Sequence, residues 1–224
     1  MIINFTTFSI NRLKTDIMFT NRFKKAFPQK FPGIIRFLIW IRLGPNHLSI
    51  IGGILALAAG LLLACGNFIS GGLCILCSGF CDMFDGTLAR NTGTATKFGK
   101  FLDSVVDRYS ELAIFFGLIF YFAHQTDMLF EEITGWFSLT GSLMVSYTKA
   151  RAEAVGVNCR IGIMQRPERM IVLIIATILT GLFDNFLIAG VSLFLLALFS
   201  NITALQRIFY TRNKMNTDDK THEP

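Results

Sequence analysis

From Asn46 to Cys81 the chain carries no Asp, Glu, Lys or Arg. Helices that are apolar all round are either deeply buried or membrane-spanning, and about 20 such residues suffice to cross a bilayer. The rest of the composition agrees. Charged residues make up 16% of the chain, against about 25% in a soluble domain. Hydrophobic residues make up 52%, Phe alone occurs 23 times, and the mean hydropathy is +0.53. The expected fold is all-α: a polytopic membrane protein with six transmembrane helices preceded by an amphipathic juxtamembrane helix.

The apolar runs place the spans at 46–65, from about Phe68 into "DMFDG", from about Thr96 through "LAIFFGLIFYFAHQ", at about 131–155, at 166–183, and from about Asn185 to "LQRIFYTR". In lipid each must be helical, because the backbone has no other partner there. Lys and Arg fall only in the leader up to Arg42, in Arg90–Arg108, in Lys149–Arg169 and from Arg207 onward. The opposite turns "GNF", "HQTDMLFEE" and "FDN" have none. This positive-inside pattern predicts both termini and the active site on the cytoplasmic side; the expected location is the cell (inner) membrane. Three segments are expected. Residues 1–45 form a basic, Phe-rich leader and surface helix suited to an anionic membrane face rather than a cleavable signal. Residues 46–212 form the six-helix domain, and 213–224 a polar, disordered cytoplasmic tail. The Cys74–Cys77 CxxC lies inside an apolar run, where cysteine acts as a small hydrophobe.

Charge returns abruptly in "DMFDGTLAR" (82–90), and two more aspartates follow in "GKFLDSVVDR". Asp82 and Asp85 are three apart, and Asp103 and Asp107 four apart. On helices both spacings place a pair on one face, so two adjacent helices can aim all of these carboxylates into one cavity. Left alone there, like charges are very unfavourable. Protonation or divalent cations relieve them, and hard oxygen donors suit Mg²⁺, Mn²⁺ or Ca²⁺. Two ions about 4 Å apart would suit phosphoryl chemistry. Gly86 permits close approach of a bulky group to the backbone, Gly99 can let the two helices touch, and Arg90 is placed to bind phosphate. The alternative is a solvated helix end held by structural ion pairs.

The pattern D-x2-D-G-x2-A-R-x8-G-x3-D-x3-D, met by Asp82, Asp85, Gly86, Ala89, Arg90, Gly99, Asp103 and Asp107, resembles the CDP-alcohol phosphotransferase family. With the six-span layout, the resemblance covers nearly the whole chain. It implies transfer of a substituted phosphate from a CDP-linked lipid to an alcohol, with release of CMP. It implies that Asp82, Asp85, Asp103 and Asp107 bind two Mg²⁺ ions, with Mn²⁺ as a substitute, and that Asp107 is also the general base. Asn46, His47, Leu48, Ser49, Gly86, Arg90 and Thr96 match positions around the CDP-lipid. A homodimer is implied as well; Gly71, Gly72 and Gly79 permit close packing. No nucleic-acid partner is expected.

Lys149, Arg169 and Arg207 lie within or beside apolar segments, where an unpaired cation is costly. A buried anionic substrate accounts for them, so a phosphorylated acceptor fits better than a neutral one. "SYTKARAEAVG" and "GIMQRPER" resemble the bacterial phosphatidylinositol phosphate synthases. That resemblance implies CDP-diacylglycerol as donor, myo-inositol phosphate as acceptor, and Lys149, Arg169 and Arg207 as its phosphate pocket. A phosphatidylglycerophosphate synthase using glycerol 3-phosphate satisfies the same electrostatics. A divalent-cation transporter is the rival of another class.

Overall fold

The computed structural model describes residues 32–221 except Arg160, with side chains as far as Asn216. Within it the chain forms seven helices: α1 (Pro32–Trp40), α2 (Pro45–Ala64), α3 (Phe68–Thr92), α4 (Lys97–Ala123), α5 (Leu129–Ala154), α6 (Arg166–Phe183) and α7 (Phe186–Thr221). No strand occurs among the described residues. The leader before Pro32 and the last three residues lie outside them.

The helix ends follow local chemistry. Pro45 opens α2, where a missing N–H costs nothing, and the Gly44 N–H donates to His47 Nδ1 at 3.3 Å. Gly93, at φ 67°, ends α3 in the left-handed conformation that glycine tolerates. Thr96 caps α4 by accepting the Gly99 N–H at 2.9 Å. These signals keep the α3–α4 connection short, so the two aspartate-bearing helices come together at one end of the bundle, each packed on α2.

α2 packs against both α3 and α4, α6 packs on α3, and α5 packs on α7. Glycine makes the α2–α4 contact possible. A Cβ on Gly60 would sit 2.3 Å from the Ala113 carbonyl oxygen, and one on Gly117 would sit 2.1 Å from that of Gly60. Backbones meet there directly, the packing that small residues allow in lipid. Gly71 and Gly72 are used in the same way within the chain, against Leu63 of α2 and against Thr177 and Ile178 of α6, whereas Gly79 faces open space.

The polarity is that of a lipid-embedded bundle. Ile54, Leu61, Phe116, Phe137 and Leu187 are exposed, while Ser138, Ser142, Ser200 and Thr203 are buried. Ser138 donates to the Leu193 carbonyl at 2.6 Å, tying α5 to α7. An outer surface this apolar belongs against lipid, and the chain is a membrane protein. By length and composition α2, α3 and α7 are long and apolar enough to cross a membrane. α4 and α6 fall short of that standard because they carry the charged residues of the site, and α5 because its interior is rich in Ser, Thr and Gly.

Two expectations are corrected. Residues 213–221 are not a disordered tail: α7 continues through them to Thr221. Nothing between Gly190 and Pro224 breaks a helix, and each residue added to an existing helix brings its own hydrogen bond. Gly99 also does not serve a contact between α3 and α4. A Cβ there would lie 3.0 Å from Asn46 Oδ1 and 3.1 Å from Thr96 Oγ1, so its smallness makes room for the start of α2.

Candidate active site

Asp82 and Asp85 sit near the end of α3, and Asp103 and Asp107 near the start of α4. Asp82, Asp85 and Asp103 each bring one carboxylate oxygen within 4.8 Å of the other two. Asp107, one turn beyond Asp103, lines the same cavity. That cavity is floored by Gly52 and Gly53 of α2. A Cβ on Gly52 would lie 3.0 Å from Cys81 Cβ, and one on Gly53 2.8 Å from Val106 Cγ1, so the two glycines let both aspartate helices close on α2. Ser49 Oγ donates to Asp85 Oδ2 at 2.6 Å and fixes that carboxylate.

A cation already shares the cluster. Arg166, the first residue of α6, places Nη1 2.6 Å from Asp107 Oδ2 and 3.0 Å from Asp82 Oδ1. The ion-pair alternative weighed from the sequence is therefore present at these two carboxylates. It does not exhaust the cluster: the ion pairs of Arg166 fall on Asp82 and Asp107, whereas Asp85 is held by the Ser49 hydroxyl. A compact set of hard carboxylate oxygens, one of them pre-oriented by a serine, fits a divalent cation.

Beside it opens a cavity of about 420 Å³. Asn46, Ser49, Gly86, Arg90 and Thr96 line it, and Asp85 and Asp103 form its wall toward the carboxylates. Two of the residues matched to the donor point elsewhere. His47 caps α2, and Leu48 is buried in a cluster with Ile35, Phe84 and Leu88. Lys100, which sequence reasoning passed over, lines the same cavity.

The three cations matched to the acceptor are not equivalent. Arg169 and Glu111 are 0% and 1% exposed and paired, Nε to Oε1 at 2.8 Å. Arg169 Nη1 donates to the Met164 carbonyl at 3.0 Å, while Nη2 is buried without a partner. Arg207 donates from Nε to the Ile161 carbonyl and from Nη1 to that of Val145, which pins the 156–165 loop and α5 to α7. Lys149 is half exposed and lines a cavity of about 740 Å³ between α4 and α5, together with Arg108. Arg108 Nη1 approaches Glu111 Oε2 at 4.0 Å and makes no hydrogen bond. Arg108 and Glu111 were missed in the sequence, although an acid in the apolar half of α4 is itself a signal.

Residues 42–203 match the family model described as CDP-alcohol phosphatidyltransferase. The chain belongs to this family. The matched span contains the whole carboxylate cluster, Lys149 and Arg169, and ends before Arg207. Membership makes the protein a phosphatidyltransferase and sets the transporter reading aside. Over 172 residues it is 36% identical to the archaetidylinositol phosphate synthase of Pyrococcus horikoshii, covering 76% of this chain and 85% of the relative. The crystal structure of Mycobacterium tuberculosis phosphatidylinositol phosphate synthase with CDP-DAG bound superposes with a TM-score of 0.75 at 32% identity, covering 80% of this chain and 92% of that one. A second structure of that enzyme, in complex with manganese and citrate, has the same TM-score of 0.75 and 32% identity, over 80% of this chain and 87% of the other.

Proposed function

We propose that this enzyme transfers the phosphatidyl group of CDP-diacylglycerol to myo-inositol phosphate, giving phosphatidylinositol phosphate and CMP. The observation that carries the acceptor is the pair of buried guanidinium nitrogens, Arg108 Nη1 and Arg169 Nη2, that lack a hydrogen-bond partner around Glu111. A buried polar donor left unpaired costs about 1–3 kcal/mol, more if charged. An acceptor phosphate would satisfy both at once. The names of the relatives favour inositol phosphate over glycerol 3-phosphate. One is archaeal and the other bacterial, their lipids differ, and inositol phosphate is common to both.

The donor's cytidine diphosphate lies in the 420 Å³ cavity, where Arg90 and Lys100 meet its phosphates and Gly86 leaves room for it. Its acyl chains stay in the bilayer. Asp82, Asp85, Asp103 and Asp107 would hold Mg²⁺, two ions when fully loaded and replaceable by Mn²⁺, which would supply charge neutralisation on the diphosphate. Lys149, Arg108 and Arg169 clamp the acceptor phosphate, and Arg207 fixes the loop behind them. The acceptor hydroxyl attacks the phosphorus next to the lipid. The new P–O bond forms as the bond to CMP breaks, and Asp107 takes the hydroxyl proton. Six spans in the cell membrane, a cytoplasmic site behind a surface helix that includes α1, and a homodimer complete the reading.

Two measurements test it. CMP release by purified protein from CDP-diacylglycerol and Mg²⁺ is expected with inositol phosphate and to be far slower with glycerol 3-phosphate, serine or free inositol. Faster turnover with glycerol 3-phosphate would overturn the acceptor assignment. Arg108→Met is expected to raise the acceptor KM by about tenfold or more, as for a lost charged hydrogen bond, with the donor KM within about twofold. Equal rises in both would place Arg108 outside the acceptor clamp.

A further inference from the structure

Arg166 is neither in the family pattern of aspartates nor among the cations assigned to the acceptor, yet it has the closest ionic contacts in the cluster. Its guanidinium enters from α6 and joins α3 to α4 through Asp82 and Asp107. With the side chain in that position, the cavity among the carboxylates measures about 10 Å³, room for one water-sized body. The carboxylates are thus divided unequally. Asp82, Asp85 and Asp103 converge on a common point. Asp107 Oδ2 faces Arg166 at 2.6 Å, and Asp82 Oδ1 meets the same guanidinium nitrogen at the longer 3.0 Å.

We propose that Arg166 is an internal competitor for the second ion. It leaves one stronger divalent site at Asp85, Asp103 and Asp82, the last held by the guanidinium only at the longer 3.0 Å, and a weaker one that forms only when the guanidinium leaves Asp107, which it holds at 2.6 Å. This deepens the reading of the cluster as a two-ion site and rests on it. The physical basis is direct competition. A guanidinium in a short charge-assisted bond with Asp107 Oδ2 already neutralises that carboxylate and fills space in a cavity of about 10 Å³, both of which a second ion would need. Two divalent ions and a guanidinium in one small cavity also repel one another. Release of Arg166 and release of the Asp107 carboxylate for proton abstraction are then the same movement, so the base becomes available only when the second ion is in place. Arg166 acts through Asp107 as a positioning residue.

The test is Mn²⁺ titration of the full-length protein in detergent. Free Mn²⁺ and exchange-coupled Mn²⁺ pairs are followed by electron paramagnetic resonance, without turnover. Wild type is expected to bind two ions in two classes. In Arg166→Met the weaker class is expected to tighten by at least about tenfold, the scale of one close charge pair, and the coupled-pair signal to appear at lower Mn²⁺. A merely structural role predicts the opposite sign, because loosening α6 from the carboxylates weakens both classes. Weakened or unchanged second binding in Arg166→Met therefore overturns the proposal. Should Arg166→Met fail to fold, Arg166→Lys decides: its point charge bridges the two carboxylates less well, so the same shift is expected at smaller size, and an unaltered isotherm overturns the proposal. Two equal classes in wild type reject the competition while leaving a two-ion site standing. No Mn²⁺ binding in wild type rejects the metal reading itself, and the competition with it.

Discussion

Asp107→Asn is expected to lower kcat by at least about 10³-fold, near the upper range for loss of a positioned general base, with the protein still monodisperse after purification. Asparagine has nearly the same shape and accepts no proton at neutral pH. Its amide oxygen is also a weaker ligand than a carboxylate. The residue is 16% exposed, lines the carboxylate cavity and does not take part in the apolar core, so its loss leaves packing intact. The decisive control is Mn²⁺ binding. Asp82, Asp85 and Asp103 remain, so one ion should still bind while turnover is gone. Retained turnover would remove Asp107 from the chemistry. Loss of all ion binding together with turnover would mean that the variant destroyed the metal site, and the role of base would have to be abandoned for that of an essential ligand. A fall in kcat with the acceptor KM nearly unchanged is the signature of an interaction made only in the transition state.

The helices were legible because lipid leaves so few choices. Uncharged runs must be helical, and each run in the sequence became a helix, four of the six within a few residues of their expected ends, while α3 runs on from Gly86 to Thr92 and α7 from Arg212 to Thr221. The carboxylate cluster was legible because helical spacing fixes which side chains share a face. Partners were not legible. That Arg166 would reach Asp82, 84 positions away in sequence, depends on α6 packing against α3, and no local pattern records that contact. The same holds for Arg169. Its place in an apolar segment announced a charge in need of compensation, and an anionic substrate was the expected answer. The structure supplies part of the compensation internally through Glu111, 58 positions earlier. The end of α7 was misjudged for another reason. A polar composition argues against burial but not against helix, and a long apolar helix had already met the cost of nucleation.

The Glu111–Arg169 pair carries the second large effect, on stability. Both groups are almost wholly buried and meet at 2.8 Å, within a bundle whose apolar core is mostly Ala, Leu, Ile and Phe. Removing one member of such a pair leaves a buried charge uncompensated, which costs about 3–5 kcal/mol, whereas replacing both by apolar residues is often neutral. Glu111→Leu is therefore expected to lower the unfolding temperature in detergent sharply. Glu111→Leu with Arg169→Met should recover most of that loss, a coupling that a double-mutant cycle reads directly. The double variant separates folding from function. It should be stable and yet poorly active, with a raised acceptor KM, because Arg169 Nη2 has gone from the proposed clamp. If the double variant kept a wild-type acceptor KM, the pair would be structural only, and Arg108 and Lys149 alone would hold the phosphate. If Glu111→Leu alone were neutral, Arg169 would have to find another counter-charge, and the account of Glu111 as the group that orients it would be wrong.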